Sequence, residues 1–204
     1  MEIKSYSRNK LGTNSYIISK GNRCIVIDPC VSYDELFKDS NMKIEVVFIT
    51  HAHFDHIDQL DTYLDKALCF YMHEKAYPKL KDPDQNFSSM TGFKKSYNLC
   101  CEQTMFIDEG DDISFLDEDI TILYTPGHSD CSISILINNH LFGGDLIFKG
   151  SVGRFDLPTS SYDDLLVSLK KVNDLTDDII IYPGHGPVTT LIEERQKNSF
   201  FRGL

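Results

Sequence analysis

The apolar run Ile44-Glu45-Val46-Val47-Phe48-Ile49 leads through Thr50 into His51-Ala52-His53-Phe54-Asp55-His56. A short β-branched run of this kind predicts a buried strand. Residues at i and i+2 of an extended segment point the same way, so His51 and His53 can grip one ion. Asp55 and His56 can present a second pair once the chain turns, as a loop entering a helix does. A strand must therefore deliver this motif to a rigid edge.

Three other segments repeat the arrangement. Thr121–Tyr124 leads into Thr125-Pro126-Gly127-His128, Leu141-Phe142 into Gly143-Gly144-Asp145, and Ile179–Tyr182 into Pro183-Gly184-His185-Gly186. Each time a strand ends and a ligand-type residue follows beside glycine, which lets backbone approach an ion closely. Five of the seven histidines lie in these segments, too many for chance placement. Imidazole and carboxylate suit zinc, iron or manganese. A structural zinc site is usually four-coordinate and cysteine-rich. Seven nitrogen and oxygen ligands suit two ions with room left for water.

The rest of the chain predicts an α/β layered fold in one domain spanning residues 1–204. Strands are expected at Ser15–Ser19, Cys24–Ile27, Ile44–Ile49, Leu68–Tyr71, Ile120–Tyr124, Ser132–Ile137 and Ile179–Tyr182. Gly21-Asn22 and Asn138-Asn139 read as hairpin turns. Ser32 and Thr190 open capping boxes, and Ser160 or Ser161 starts a helix through Leu175. Several hairpins do not fit a purely parallel doubly wound sheet.

A formal charge of −11 disfavours a nucleic-acid partner. Seven acids between Asp108 and Asp119 read as a solvated loop and strand edge. No apolar stretch reaches the ~18 residues of a spanning helix, and Met1-Glu2-Ile3-Lys4 opens no secretory signal. A soluble, cytoplasmic protein without a membrane partner is expected. The six cysteines are dispersed and read as reduced thiols, with Cys100 and Cys101 expected to be buried. His140 is expected in an exposed turn, His73 on the surface at a helix start. Tyr71, Tyr77, Phe87 and Phe93 are expected in core packing, with the lining of a pocket mouth as the alternative.

The motif H-x-H-x-D-H followed by distant His, Asp and His resembles the metallo-β-lactamase superfamily. Asn14-Ser15-Tyr16, Ile27-Asp28-Pro29, Glu109-Gly110-Asp111 and Thr125-Pro126-Gly127-His128-Ser129 fall in the order that the resemblance requires. It implies an αββα sandwich of two mixed sheets flanked by helices, with the metals at one edge. It implies that His51, His53 and His128 hold one metal, that Asp55, His56 and His185 hold the other, and that Asp145 bridges them. Asp28 would anchor ligands by hydrogen bonds. Gly143-Gly144-Asp145-Leu146-Ile147-Phe148, Gly153-Arg154-Phe155-Asp156-Leu157-Pro158 and the ending Glu193–Phe201 are similar to short bacterial glyoxalase II-type hydrolases. Cys30 and Cys131 stand where that pattern commonly has glycine. The chain ends without the helical region that supplies glutathione contacts in longer members.

The resemblance implies two divalent ions, zinc before iron or manganese, and a small-molecule thioester such as a hydroxyacylglutathione. A hydroxide shared by the ions would attack the carbonyl, with Asp55 accepting or orienting a proton. Arg154 and Lys149, in a locally basic loop after Asp145, are candidate contacts to a substrate carboxylate. The rival reading pairs Arg154 with Asp156 or Asp163. A mononuclear-iron oxidoreductase similar to the persulfide dioxygenases, and a lactone or β-lactam hydrolase, are the alternatives.

Overall fold

A computed structural model describes residues 1–7, 9–38 and 40–204, with the backbone alone at Asp112. The chain forms two compact units, residues 1–107 with 115–117, and residues 108–114 with 118–204. Both are α/β, each built on a six-stranded mixed sheet.

The first unit runs β1 (Glu2–Ser7), β2 (Asn14–Lys20), β3 (Arg23–Ile27), α1 (Tyr33–Phe37), β4 (Lys43–Phe48), β5 (Ala67–Met72), α2 (Ala76–Lys81) and β6 (Thr104–Phe106). The strands lie in sequence order. β1, β2 and β3 are antiparallel, whereas β3, β4, β5 and β6 run parallel. The Gly21-Asn22 turn joins β2 to β3, with Lys20 opposite Arg23 and Gly21 in the left-handed region. Val46, Val47 and Phe48 are fully buried, as the unbroken apolar run of a central parallel strand requires. Ser32 caps α1 by accepting from the Glu35 N–H.

The second unit continues with β7 (Asp112–Phe115), β8 (Glu118–Tyr124), β9 (Ile133–Ile137), β10 (His140–Gly144), β11 (Ile147–Phe148), β12 (Ser151–Val152), α3 (Tyr162–Asn173), β13 (Ile180–Pro183), β14 (Thr189–Thr190) and α4 (Leu191–Lys197). Its sheet has the order β14-β13-β10-β9-β8-β7, with β10 parallel to β13, and β11 pairs with β12 apart from it. Leu165, Leu169 and Val172 of α3 are buried with Leu141, Ile181 and Leu191 in one apolar cluster. Ser161, of the two serines considered, caps α3, and Thr190 caps α4. Gly127 has φ +139, and a methyl there would come within 2.4 Å of the Leu165 backbone, so only glycine lets α3 lie so close.

All seven expected strands are present, with ends shifted by one or two residues. The strands that the sequence did not announce, β1, β6, β7, β11, β12 and β14, are short or carry polar and charged residues. The acids of the Asp108–Asp119 stretch whose side chains are described are exposed or half-buried. Among the described residues no helix is long and apolar enough to cross a membrane.

Four expectations need correction. Cys100 and Cys101 are exposed, because they sit in the loop before β6 and not within a strand. His140 is the first residue of β10 and half-buried, its Nδ1 3.1 Å from the Tyr182 hydroxyl on the neighbouring strand. His73 is buried between β5 and α2, where its Nδ1 accepts from the Lys75 N–H. Phe93 is 72% exposed rather than core, and Phe87 packs on a candidate ligand.

Candidate metal centre

In the first unit, β4 ends at Phe48, and the motif follows as irregular chain. The His51 ring lies 4.5 Å from that of His53 and 4.1 Å from that of His56, centre to centre. Asp55 Oδ2 stands 3.7 Å from His56 Nε2. All four residues are buried.

The positions of their protons follow from one buried carboxylate. Asp28 sits at the end of β3 with φ +52, a conformation that Asp tolerates better than most residues. Its Oδ1 accepts from the Thr50 N–H (2.8 Å), and its Oδ2 accepts from the Thr50 hydroxyl (2.7 Å) and from His56 Nδ1 (2.7 Å). Thr50 has one hydroxyl proton, and Asp28 receives it. The Thr50 oxygen, 3.1 Å from His51 Nδ1, therefore accepts from that nitrogen. These partners favour the proton on Nδ1 of both imidazoles and leave the buried Nε2 as the acceptor, the tautomer a metal needs.

Asp55 is held by a contact that sequence spacing did not reveal. The Thr13 hydroxyl donates to Asp55 Oδ2 at 2.7 Å, and Asn9 Nδ2 donates to the Asp55 carbonyl at 2.9 Å. Asn9 Oδ1 accepts in turn from the N–H groups of Leu11 and Thr13. His53 is backed by the Phe87 ring at 4.7 Å. Phe87 has φ +64, which costs a bulky side chain about 1–2 kcal/mol. The neighbouring Asn86 is fastened on both sides: its carbonyl accepts from Phe54 N–H, and its Oδ1 from Ser88 N–H.

In the second unit, three loops at strand ends supply His128, Asp145 and His185. Gly143 is the extra residue of a register shift between β10 and β13, so β10 bends just before Asp145. Asp145 Oδ2 lies 3.4 Å from His128 Nε2 and 3.5 Å from His185 Nε2. His128 Nδ1 donates to the carbonyl of Arg154 at 2.8 Å, which again leaves Nε2 with the lone pair. A nitrogen lone pair and a carboxylate oxygen facing each other this closely repel, and a cation relieves the repulsion. The donor set, imidazole nitrogens and carboxylate oxygens, fits a divalent ion such as zinc, iron or manganese.

The loop after Asp145 is built for this purpose. A methyl on Gly153 would fall 1.8 Å from the Asp145 carbonyl oxygen and 3.2 Å from His128 Cβ. The buried Glu194 carboxylate of α4 accepts from the Gly150 N–H, the Thr189 hydroxyl and Asn198 Nδ2. The expected carboxylate contacts are engaged elsewhere. Arg154 forms a bidentate pair with Asp156 (2.9 and 3.0 Å), and Lys149 stands 3.3 Å from Glu193. The pairing of Arg154 with Asp156 is the structural rival stated above. Its main contribution to the site is its carbonyl, which orients His128.

Comparison with known proteins agrees with this chemistry. The model of the Metallo-beta-lactamase superfamily matches residues 8–185, a span containing all seven candidate ligand residues. A probable metallo-hydrolase of Streptococcus pyogenes is 30% identical over 210 residues, which is 98% of this chain and 90% of that one. The hydroxyacylglutathione hydrolase of Francisella philomiragia is 27% identical over 91% of this chain and 68% of its own. Among solved structures, the BLEG-1 B3 metallo-beta-lactamase superposes with a TM-score of 0.91 at 29% identity, covering 99% and 100% of the two chains. TTHA1623 in a di-iron-bound form gives 0.79 at 28%, covering 97% and 99%. With the strand-end ligands, the two mixed sheets and a family match over most of its length, this protein is a metal-dependent hydrolase of the metallo-beta-lactamase superfamily.

Proposed function

We propose that the chain is a binuclear thioester hydrolase. The observation that carries this reading is that Nδ1 of His51, His56 and His128 each meets an oxygen, of Thr50, Asp28 and the Arg154 carbonyl, which favours the proton on Nδ1 and the lone pair on Nε2. In the proposed assignment His51, His53 and His128 hold one ion, Asp55, His56 and His185 hold the other, and Asp145 bridges. The di-iron form of TTHA1623 and the Francisella hydroxyacylglutathione hydrolase support two ions and a thioester respectively. Bound divalent ions would acidify a shared water towards a pKa of ~7 and polarise the substrate carbonyl.

The chain's own part is to position and to move a proton. Water adds its oxygen to the acyl carbon, and the carbon–sulfur bond breaks, giving acid and thiol. Asp55 is suited to take the proton, because Thr13 pins Oδ2 and so fixes the direction of the carboxylate. Asp28 keeps two imidazoles in their ligand tautomer throughout.

Metal analysis of the untagged protein, combined with a thioester panel, tests the reading. About two ions per chain with stoichiometric thiol release are expected, and Asp145→Ala should remove turnover rather than only raise KM. A plateau at one iron, with oxygen uptake on a persulfide, would reject it. The close superposition on BLEG-1 favours β-lactam hydrolysis as a second reading. Turnover of a chromogenic cephalosporin without thioester cleavage would select it.

A further inference from the structure

The first unit contains a pocket of about 420 Å³ with Asp55 in its wall. Its apolar lining comes from Leu11, Phe54 and Phe93. Leu11 and Phe93 are 56% and 72% exposed, so their apolar surface is open to a ligand. Two of the four charged residues at its wall, Lys95 and Asp58, pair at 2.8 Å, and the other two, Lys10 and Asp55, are of opposite sign. We propose that this pocket receives an apolar arm of the thioester, of aromatic or medium-chain size, so that the enzyme prefers bulky apolar thioesters to small hydroxyacyl ones. The proposal rests on the thioester reading above.

Three features carry it. The volume lies within the ~300–1,000 Å³ of small-molecule sites and exceeds what a two- or three-carbon acyl group fills. The walls are preformed. On one side Asn9 ties its loop to the Asp55 carbonyl and to the N–H groups of Leu11 and Thr13. On the other, Asn86 Nδ2 donates to the Lys95 carbonyl, Lys95 N–H donates to Ser88 Oγ, and Phe93 N–H donates to Thr91 Oγ1. The backbone that carries Leu11 and Phe93 is therefore held in place, which lowers the ordering cost of binding. Finally, Asp55 belongs both to the pocket wall and to the candidate metal ligands, so an arm lying here would abut a residue of the proposed reacting centre.

The test uses metal-loaded protein and two series: acetyl against 4-phenylbutanoyl on one thiol, and a small against a benzyl thiol on one acyl group. A preference of ~10-fold or more in kcat/KM for the bulky member of either series is expected, and the series showing it identifies the arm. In Phe93→Ala the ratio of bulky to small should fall by a similar factor. The chain has no tryptophan, so Phe93→Trp places a single indole at an exposed position. Its emission should shift to the blue with 4-phenylbutyrate and not with acetate, a readout independent of turnover. Failure of every thioester to turn over, with the fluorescence shift present, would reject the thioester reading and leave the apolar pocket standing. Equal kcat/KM across both series, or no shift with 4-phenylbutyrate, would overturn the pocket proposal.

Discussion

Asp28 Oδ2 lies 2.7 Å from Nδ1 of His56 and, through Thr50, governs the proton on His51 as well. One buried carboxylate thus aims two ligands. Asp28→Asn keeps a residue that tolerates φ +52, but removes the charge and one acceptor. Metal affinity should fall ~10–100-fold. Competition with a chelator measures this, and an unchanged affinity would mean that Asp28 serves only the β3 turn.

Gly153 predicts a steric failure. The methyl of Gly153→Ala cannot coexist with the Asp145 carbonyl at 1.8 Å, so the loop must move. A stability loss of ~1–3 kcal/mol is expected, together with reduced metal occupancy. Gly150→Ala meets no atom within 4 Å and separates the effects, although its φ of +76 gives it a conformational cost of its own. If Gly153→Ala binds metal and melts as the parent does, the loop is softer than its packing implies.

Burial holds the His140 imidazole below its ordinary pKa of 6.5. The unfolded chain therefore takes up this proton first as pH falls. Its contribution to stability is full above 6.5 and is lost progressively as pH drops from there towards the folded pKa. His140→Gln should show a shallower loss of urea midpoint between pH 7.5 and 5.5 than the parent, both measured metal-free. Parallel curves would count against any such contribution.

Thiol labelling should divide the cysteines. Burial pushes Cys24 and Cys30 up to about 12, whereas Cys100 and Cys101 lie open to solvent. Native protein at pH 8 should give two fast equivalents with a disulfide reagent, a slower one from half-buried Cys69, and the remainder only on unfolding. Fast labelling of Cys30 would mean that the region beside Thr13, whose carbonyl it contacts, opens readily.

The candidate ligands stood out in the sequence because each follows an apolar strand, a signal local in sequence. His51, His53, Asp55 and His56 share one loop, and Gly127, Gly144 and Gly184 mark the others. What holds the ligands was not legible. Thr13 lies 42 positions from Asp55, and the partner of His128 is a backbone carbonyl at residue 154, which no side-chain pattern announces. Exposure of Cys100 and Cys101 and burial of His73 depend on where loops pass, which periodicity does not encode. Arg154 had a plausible sequence role, but Asp156 two residues on is the nearer partner.

The Asn9 clasp has a bearing on proteolysis. Lys10 sits exposed in a loop tied to the Asp55 segment through Asn9 and Thr13, one to a carbonyl and one to the carboxylate. Whatever loosens Asp55 loosens that loop, and a loosened loop fits a protease cleft. Tryptic nicking after Lys10 should accelerate when a chelator strips the protein and slow again when metal returns, so that the cut reports on occupancy of the Asp55 side without any substrate.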